Sequence, residues 1–306
     1  MEEEDGRAQY TPVCDVPTHV LKFGRIEHNR GQVLILIIPG NPGIIGYYQR
    51  FMEVLYRCGD ERVPVWGLSH AGHVTTPNTG QYLESDFYTL EGQIKHKLSF
   101  VEENVPGDVK LVLVGHSIGC YIILKMLEKL DSHRVLRCFL LFPTIERMAA
   151  SPKGQVSVPL LKYFRWLSIL LSYLASYFSP HVQYRMILWY FQGRPVAECA
   201  YNASMNLFDP FCVRNIMNMA NEEMKEVTEL NTKLVSDYMS KLSFYYGLED
   251  SWCPRDYYHG MKEQFPHADI QLCEKGLEHA FVLEGNDDMA GIVWSWLQKD
   301  LHKVTD

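Results

Sequence analysis

A serine set as Gly115-His116-Ser117-Ile118-Gly119 follows a β-branched run and precedes an apolar, helix-like stretch. That G-x-S-x-G spacing is a nucleophile elbow, in which small neighbours let the chain turn sharply and present the Ser117 hydroxyl above a sheet. Its oxygen then faces a helix N-terminus, where free N–H groups favour developing negative charge. A serine attacks only with a base to take its proton and a carboxylate to hold that base in one tautomer. The chain order on such a sheet is Ser, then Asp or Glu, then His. Gly247-Leu248-Glu249-Asp250 and Gly276-Leu277-Glu278-His279 each follow a strand-like run. Asp250 and His279 are therefore predicted to emerge on the same carboxyl edge as Ser117.

Glu249 and Glu146 are the alternative acids; Glu249 is the longer side chain next to Asp250, and Glu146 follows an earlier strand. Acyl transfer also needs donors for the tetrahedral oxyanion. The N–H of Ile118 supplies one. Pro39-Gly40-Asn41-Pro42-Gly43 follows the first strand and offers Asn41 as the second, since Pro42 has no N–H. His116 is expected to line the pocket or pack beneath it. His70 and His73 have H-x-x-H spacing but lack nearby carboxylate or Cys ligands, so no metal and no other cofactor is expected. His259 and His267 sit in polar, turn-like stretches and read as solvated.

The elements that position these residues are legible as apolar runs. Gln32–Ile38, Val63–Leu68, Lys110–Val114, Cys138–Phe142, Leu242–Gly247 and Ile270–Cys273 read as strands, several of them apolar throughout, as in a parallel sheet covered on both faces. Helical spacing marks Tyr47–Cys58, Leu90–Val105, Ile118–Leu130 and Asp288–Val304. In Leu90–Val105, Ile94, Leu98 and Val101 face inward, with Lys95, Lys97, Glu102 and Glu103 outward. Alternating strands and helices predict an α/β fold with a mostly parallel, doubly wound sheet. The core comprises residues 1–143 and 236–306. Residues 144–235 break the alternation and read as a helical insertion over the carboxyl edge of the sheet.

Within that insertion, residues 159–191 carry an unusual apolar load, and no charged residue occurs from Trp166 through Tyr184. A helix needs about 20 residues to cross a hydrocarbon core of ~30 Å. Trp166 to Ser179 falls short before Pro180, and extending back to Pro159 brings in Lys162 and Arg165. The segment reads as a helix–Pro–helix hairpin, Leu160–Ser179 and Val182–Phe191. Two placements stand: the hairpin dips into one lipid leaflet, or it is a soluble cap lining an acyl pocket. The first would use Trp166, Leu170, Leu171, Tyr173, Leu174, Tyr177 and Phe178 as lipid contacts, with Lys162, Arg165, Arg185 and Arg194 reaching headgroups.

Composition narrows the partners. The 306 residues carry a net charge of −8, against a broad nucleic-acid surface, which needs clustered Lys and Arg. Eight cysteines without a C-x-x-C pair argue against zinc ribbons and thioredoxin-type motifs, and suit a reducing compartment. Met1-Glu2-Glu3-Glu4-Asp5 has no apolar run behind it and does not read as a secretory signal.

From about Gln32 to Leu301 the chain resembles the α/β-hydrolase superfamily and, more narrowly, the lipid droplet-associated hydrolase family. The narrow likeness rests on Ile38-Pro39-Gly40-Asn41-Pro42-Gly43 with Tyr47-Tyr48 and Phe51, on Leu90-Glu91-Gly92-Gln93-Ile94-x-His96-Lys97, on the elbow, on Leu141-Phe142-Pro143-Thr144-Ile145, on Asp250-x-Trp252-Cys253-Pro254 and on His279-Ala280-Phe281. The resemblance implies a serine hydrolase of neutral-lipid esters, sterol esters among them, with Ser117 as nucleophile, Asp250 as acid and His279 as base. It implies work at the lipid droplet and endoplasmic reticulum, on the cytosolic side, and favours lipid contact for the hairpin. Pro39 stands where many superfamily members carry a His before the oxyanion-loop Gly. Two rivals use the same residues differently: a lipid-surface protein that keeps the fold mainly for binding, and an acyltransferase in which an alcohol replaces water.

Overall fold

The apolar runs of the sequence become the middle of a sheet. In the computed structural model, residues 6, 8–26, 32–76 and 86–305 are described; the acidic residues 1–5 lie outside them. Eight strands pair in the order β1-β2-β4-β3-β5-β6-β7-β8: β1 (Ala8–Val13), β2 (Val16–Phe23), β3 (Val33–Ile38), β4 (Val65–Leu68), β5 (Lys110–His116), β6 (Val135–Leu141), β7 (Leu242–Tyr246) and β8 (Asp269–Leu272). From β4 to β8 every pairing is parallel. Every residue of β3 is buried, which requires cover on both faces of the sheet.

That cover comes from α1 (Gln49–Cys58), α2 (Leu90–Asn104) and α3 (Ile118–Leu127) early in the chain. Between β6 and β7 the chain runs through α4 (Pro152–Ser176), α5 (Pro180–Tyr190), α6 (Glu198–Ser204), α7 (Pro210–Glu226) and α8 (Thr232–Tyr238). It closes with α9 (Arg255–Gln264), α10 (Phe281–Glu284) and α11 (Asn286–Thr305). α1 packs on α11, and α2 on α3. Phe139 of β6 and Tyr245 of β7 both pack on Trp296 of α11.

The strands β1 and β2 have no counterpart in the sequence reading. They form a hairpin whose turn residues, Cys14 and Asp15, both have positive φ (48° and 62°), and β2 adds antiparallel to β4. Two positive φ values match the twist of a tight hairpin, usually with Asn or Gly there. Lys97 corrects another expectation. It is buried, with Nζ donating to the Ser69 carbonyl (2.9 Å) and Gln93 Oε1 (3.3 Å). Burial pushes its ammonium well below the ordinary lysine value, so a buried, hydrogen-bonded group sits where a solvated side chain was expected.

The apolar hairpin also starts earlier than expected. Ser151 caps α4 by accepting from the Gly154 N–H, Pro152 takes the first turn, and Pro159 lies inside the helix rather than before it. α5 begins at Pro180 rather than Val182 and ends at Tyr190 rather than Phe191. Among the described residues, no helix is long and apolar enough to cross a membrane.

Candidate active site

β5 ends and α3 begins at Ser117, whose backbone sits at φ 53°, ψ −123°. A non-glycine residue held there costs on the order of 1–3 kcal/mol, which surrounding contacts must offset. The turn is crowded enough to demand glycine on both sides of the site. A Cβ on Gly119 would lie 2.2 Å from the Ile38 carbonyl oxygen, and one on Gly40 would lie 2.8 Å from Ser117 Cβ. The loop after β3 therefore presses directly against the elbow. Ile118 is the first residue of α3, where helix geometry leaves N–H groups unpaired.

His279, after β8, reaches back to this point. The Ser117 hydroxyl donates to His279 Nε2 at 2.9 Å, and His279 Nδ1–H donates to Asp250 Oδ2 at 2.6 Å. Asp250 is itself held after β7. Its Oδ1 accepts from the N–H groups of Trp252 (2.7 Å) and Cys253 (3.3 Å), and its Oδ2 also accepts from the Cys253 thiol (3.0 Å). Burial pushes the Asp250 carboxyl up, but the hydrogen bond and charge of His279, with the Cys253 and Trp252 donors, outweigh it and hold the group below the usual aspartate value. The other acids are elsewhere: Glu146 pairs with Arg147 at 3.0 Å, and Glu249 is exposed. Such a chain can pass the serine proton to the imidazole while the carboxylate stabilises the resulting charge.

A second hydrogen-bond chain runs behind the first. The Gly40 N–H donates to Tyr48 Oη (2.7 Å), the Tyr48 hydroxyl donates to His116 Nδ1 (2.6 Å), and His116 Nε2–H donates to the His279 carbonyl (2.8 Å). The tautomer of His116 is assigned from these partners. Burial, with the neighbouring His279, pushes His116 down to about 3, so its ring stays neutral. The loops after β3 and β8 and the end of β5 are thereby tied at fixed spacing. Tyr48 had no role in the sequence reading beyond family likeness; a buried Tyr needs a partner for its hydroxyl, and that need was the available signal.

Asn41 turns its side chain away from Ser117. Nδ2 donates to the Ile216 carbonyl (3.1 Å) and to Glu223 Oε1 (2.9 Å), leaving the backbone N–H as its offer to an oxyanion. His70 and His73 brace the same loop from below: the His70 N–H donates to the Gly43 carbonyl (2.7 Å) and His73 Nδ1–H to the Pro42 carbonyl (2.7 Å). Among the described residues, the ligand atoms of Asp250, Cys253 and His279 lie within 4.8 Å of one another and could suit a metal, but they are engaged in the hydrogen bonds above.

Ser117, His279, Gly40 and Asn41 open onto a cavity of about 880 Å³ whose other walls are mostly apolar: Leu160 and Leu161 of α4, Ile187 and Trp189 of α5, and Ile216 and Met224 of α7. That is ample for a lipid-sized ligand. The seven residues expected at a lipid surface lie apart from it. Trp166, Leu170, Leu171, Tyr173 and Leu174 of α4 and Tyr177 and Phe178 of the following turn are all exposed, from 42% at Leu170 to 71% at Tyr177.

Residues 31–282 match the family model described as "Lipid-droplet associated hydrolase". The chain belongs to the lipid-droplet associated hydrolase family. Relatives named lipid droplet-associated hydrolase include one from Gallus gallus, 43% identical, covering 95% of this chain and 94% of that one. Another, from Homo sapiens, is 41% identical over 94% of this chain and 93% of that one. Among solved structures, a bacterial membrane phospholipase A superposes with a TM-score of 0.66 at 16% identity, covering 96% of this chain and 86% of that one. A thermophilic esterase from Thermogutta terrifontis gives 0.61 at 13%, covering 96% and 99%. The fold is that of the α/β-hydrolases, and this family member carries its helical elaboration between β6 and β7.

Proposed function

We propose that the chain hydrolyses carboxylic esters of neutral lipids at the lipid droplet surface, with Ser117 as nucleophile, His279 as base and Asp250 as the acid that orients it. The unbroken Ser117–His279–Asp250 hydrogen-bond chain at the mouth of a large apolar cavity carries the reading. His279 takes the hydroxyl proton as Ser117 attacks the ester carbonyl. The Ile118 and Asn41 N–H groups hold the oxyanion, and protonated His279 releases the alcohol. Water, activated by His279, then frees the acid. Nothing in the scheme needs a cofactor.

The names of the relatives support the droplet as the site of action, and the exposed aromatic and leucine side chains of α4 and α5 support contact with its monolayer or with the endoplasmic reticulum on the cytosolic side. The size and apolarity of the cavity favour a bulky alcohol such as a sterol. The helical segment 144–235 serves as a cap in this scheme, roofing the cavity and carrying the lipid-facing hairpin. The test is a panel of emulsified sterol esters, acylglycerols and short-chain esters, with wild type beside Ser117→Ala. Hydrolysis of a neutral-lipid ester lost in Ser117→Ala supports the reading; equal turnover by both proteins sinks it.

The same exposed face favours one rival, a protein whose main task is binding at the droplet. A droplet phenotype that survives Ser117→Ala but not removal of the α4 aromatics would select it.

A further inference from the structure

Glu223 is a carboxyl in the wrong place for a solvated acid. It is 2% exposed, on the inward row of α7 with Ile216 and Met219, and it lines the cavity that holds Ser117. Its Oε1 accepts from Asn41 Nδ2 at 2.9 Å, while the same amide donates to the Ile216 carbonyl one helical stretch away. Asn41 follows Gly40, where a Cβ would lie 2.8 Å from Ser117 Cβ. α7 in turn packs against α4, the helix with the exposed apolar face.

We propose that Glu223 is a positioning residue: through Asn41 it clasps the oxyanion-side loop to α7, so that the seating of the helical layer sets the donor that faces Ser117. The inference rests on the reading of Ser117 as nucleophile. Burial explains why the clasp tolerates a carboxyl. It pushes Glu223 up to about 8, against the pull of the Asn41 bond and helped by the charge of Glu222, so the group is mostly uncharged at neutral pH. Above that value it ionises and sets a negative charge beside the loop that must receive another. Activity then falls as pH rises through about 8.

The titratable groups facing Glu223 across the cavity are Tyr47, Tyr48, His116, Tyr190 and His279, with Asp250 behind the last and Glu222 on its own helix. Burial raises Tyr47 to about 12, raises Tyr48 further and lowers His116 to about 3, so none of these three changes charge near pH 8.

The experiment measures kcat and KM on a water-soluble p-nitrophenyl ester from pH 6 to 10 for wild type, Glu223→Gln, Glu223→Ala and Ser117→Ala. Gln keeps an acceptor for Asn41 and cannot ionise. It is expected to hold kcat within about threefold at pH 7 and to lose the alkaline decline, whereas Ala lowers kcat by about tenfold with KM little changed. A folded Glu223→Ala with wild-type kcat overturns the proposal, and so does a Gln variant that keeps the decline near pH 8. If Glu223→Ala does not fold, the Gln profile alone decides. Turnover that survives Ser117→Ala overturns the nucleophile and this inference with it. Turnover that needs Ser117 but ignores position 223 overturns only the clasp.

Discussion

Around Ser117 the chain buries polar groups and bonds them to one another, while along α4 and α5 it leaves Trp, Tyr, Phe and Leu facing outward. The two regions invert the usual arrangement in opposite senses. In the first, Gly40, Tyr48, His116, Ser117, His279 and Asp250 are joined through two hydrogen-bond chains, so their low exposure does not leave them unsatisfied. In the second, contiguous apolar surface is left for something other than water to cover. On the proposed function, the contrast separates two demands on one chain: holding reacting groups to a fraction of an ångström, and holding the molecule at a place.

Separate demands should be separable by mutation. Ser117→Ala should lower ester turnover by on the order of 10⁴-fold or more while leaving binding to lipid emulsions unchanged. Parallel assays of hydrolysis and flotation check both halves, and retained turnover refutes the assignment. Asp250→Asn keeps the shape but favours the wrong His279 tautomer, so kcat should fall about 10⁴-fold. The same variant tests linkage. Asp250 is held below its ordinary value of 3.8, so the stability it contributes is present above that pH and lost as pH falls below it. Urea melts from pH 6 to 3 should show wild type losing more stability than Asp250→Asn over the acid end of that range.

The outer face gives the reverse pattern. Replacing Trp166, Leu171, Leu174 and Tyr177 together by Ser should weaken emulsion binding by roughly 10²–10³-fold, at about 1 kcal/mol for each side chain's contact. Turnover of a water-soluble ester should stay within about twofold. A matching loss of soluble-ester turnover would show that the two regions are not independent. The smallest effect is expected from Tyr48→Phe. It leaves the Gly40 N–H and His116 Nδ1 without their buried partner and should cost about 1–3 kcal/mol of unfolding free energy, read by urea titration.

The centre of the sheet was readable because β3 and β5–β7 are mostly apolar, a pattern that only a doubly covered sheet explains. The convergence of Ser117, Asp250 and His279 on one edge was readable because a strand end precedes each of them. The β1–β2 hairpin was not, since Thr11, Pro12, Pro17, Thr18 and His19 dilute its apolar alternation and its turn lacks Asn or Gly. Lys97 misled because charge normally marks the solvent face of a helix; here the Ser69 carbonyl just after β4 and Gln93, one turn earlier on α2, accept from its Nζ instead. Glu223 carried a signal that went unused. It lies four residues after Met219 and seven after Ile216, on the apolar side of α7, where a carboxyl needs a reason.

Leu160, Trp189 and Tyr190 line the cavity and are also exposed at the molecular surface. The rim of the entrance is thus greasy, and a molecule dissolved in oil can slide past it without ever shedding or gathering a hydration shell. On the proposed action at a droplet surface, the quantity that governs traffic through such a doorway is how many molecules occupy each unit of interface, and how much interface exists, rather than any concentration in the surrounding water.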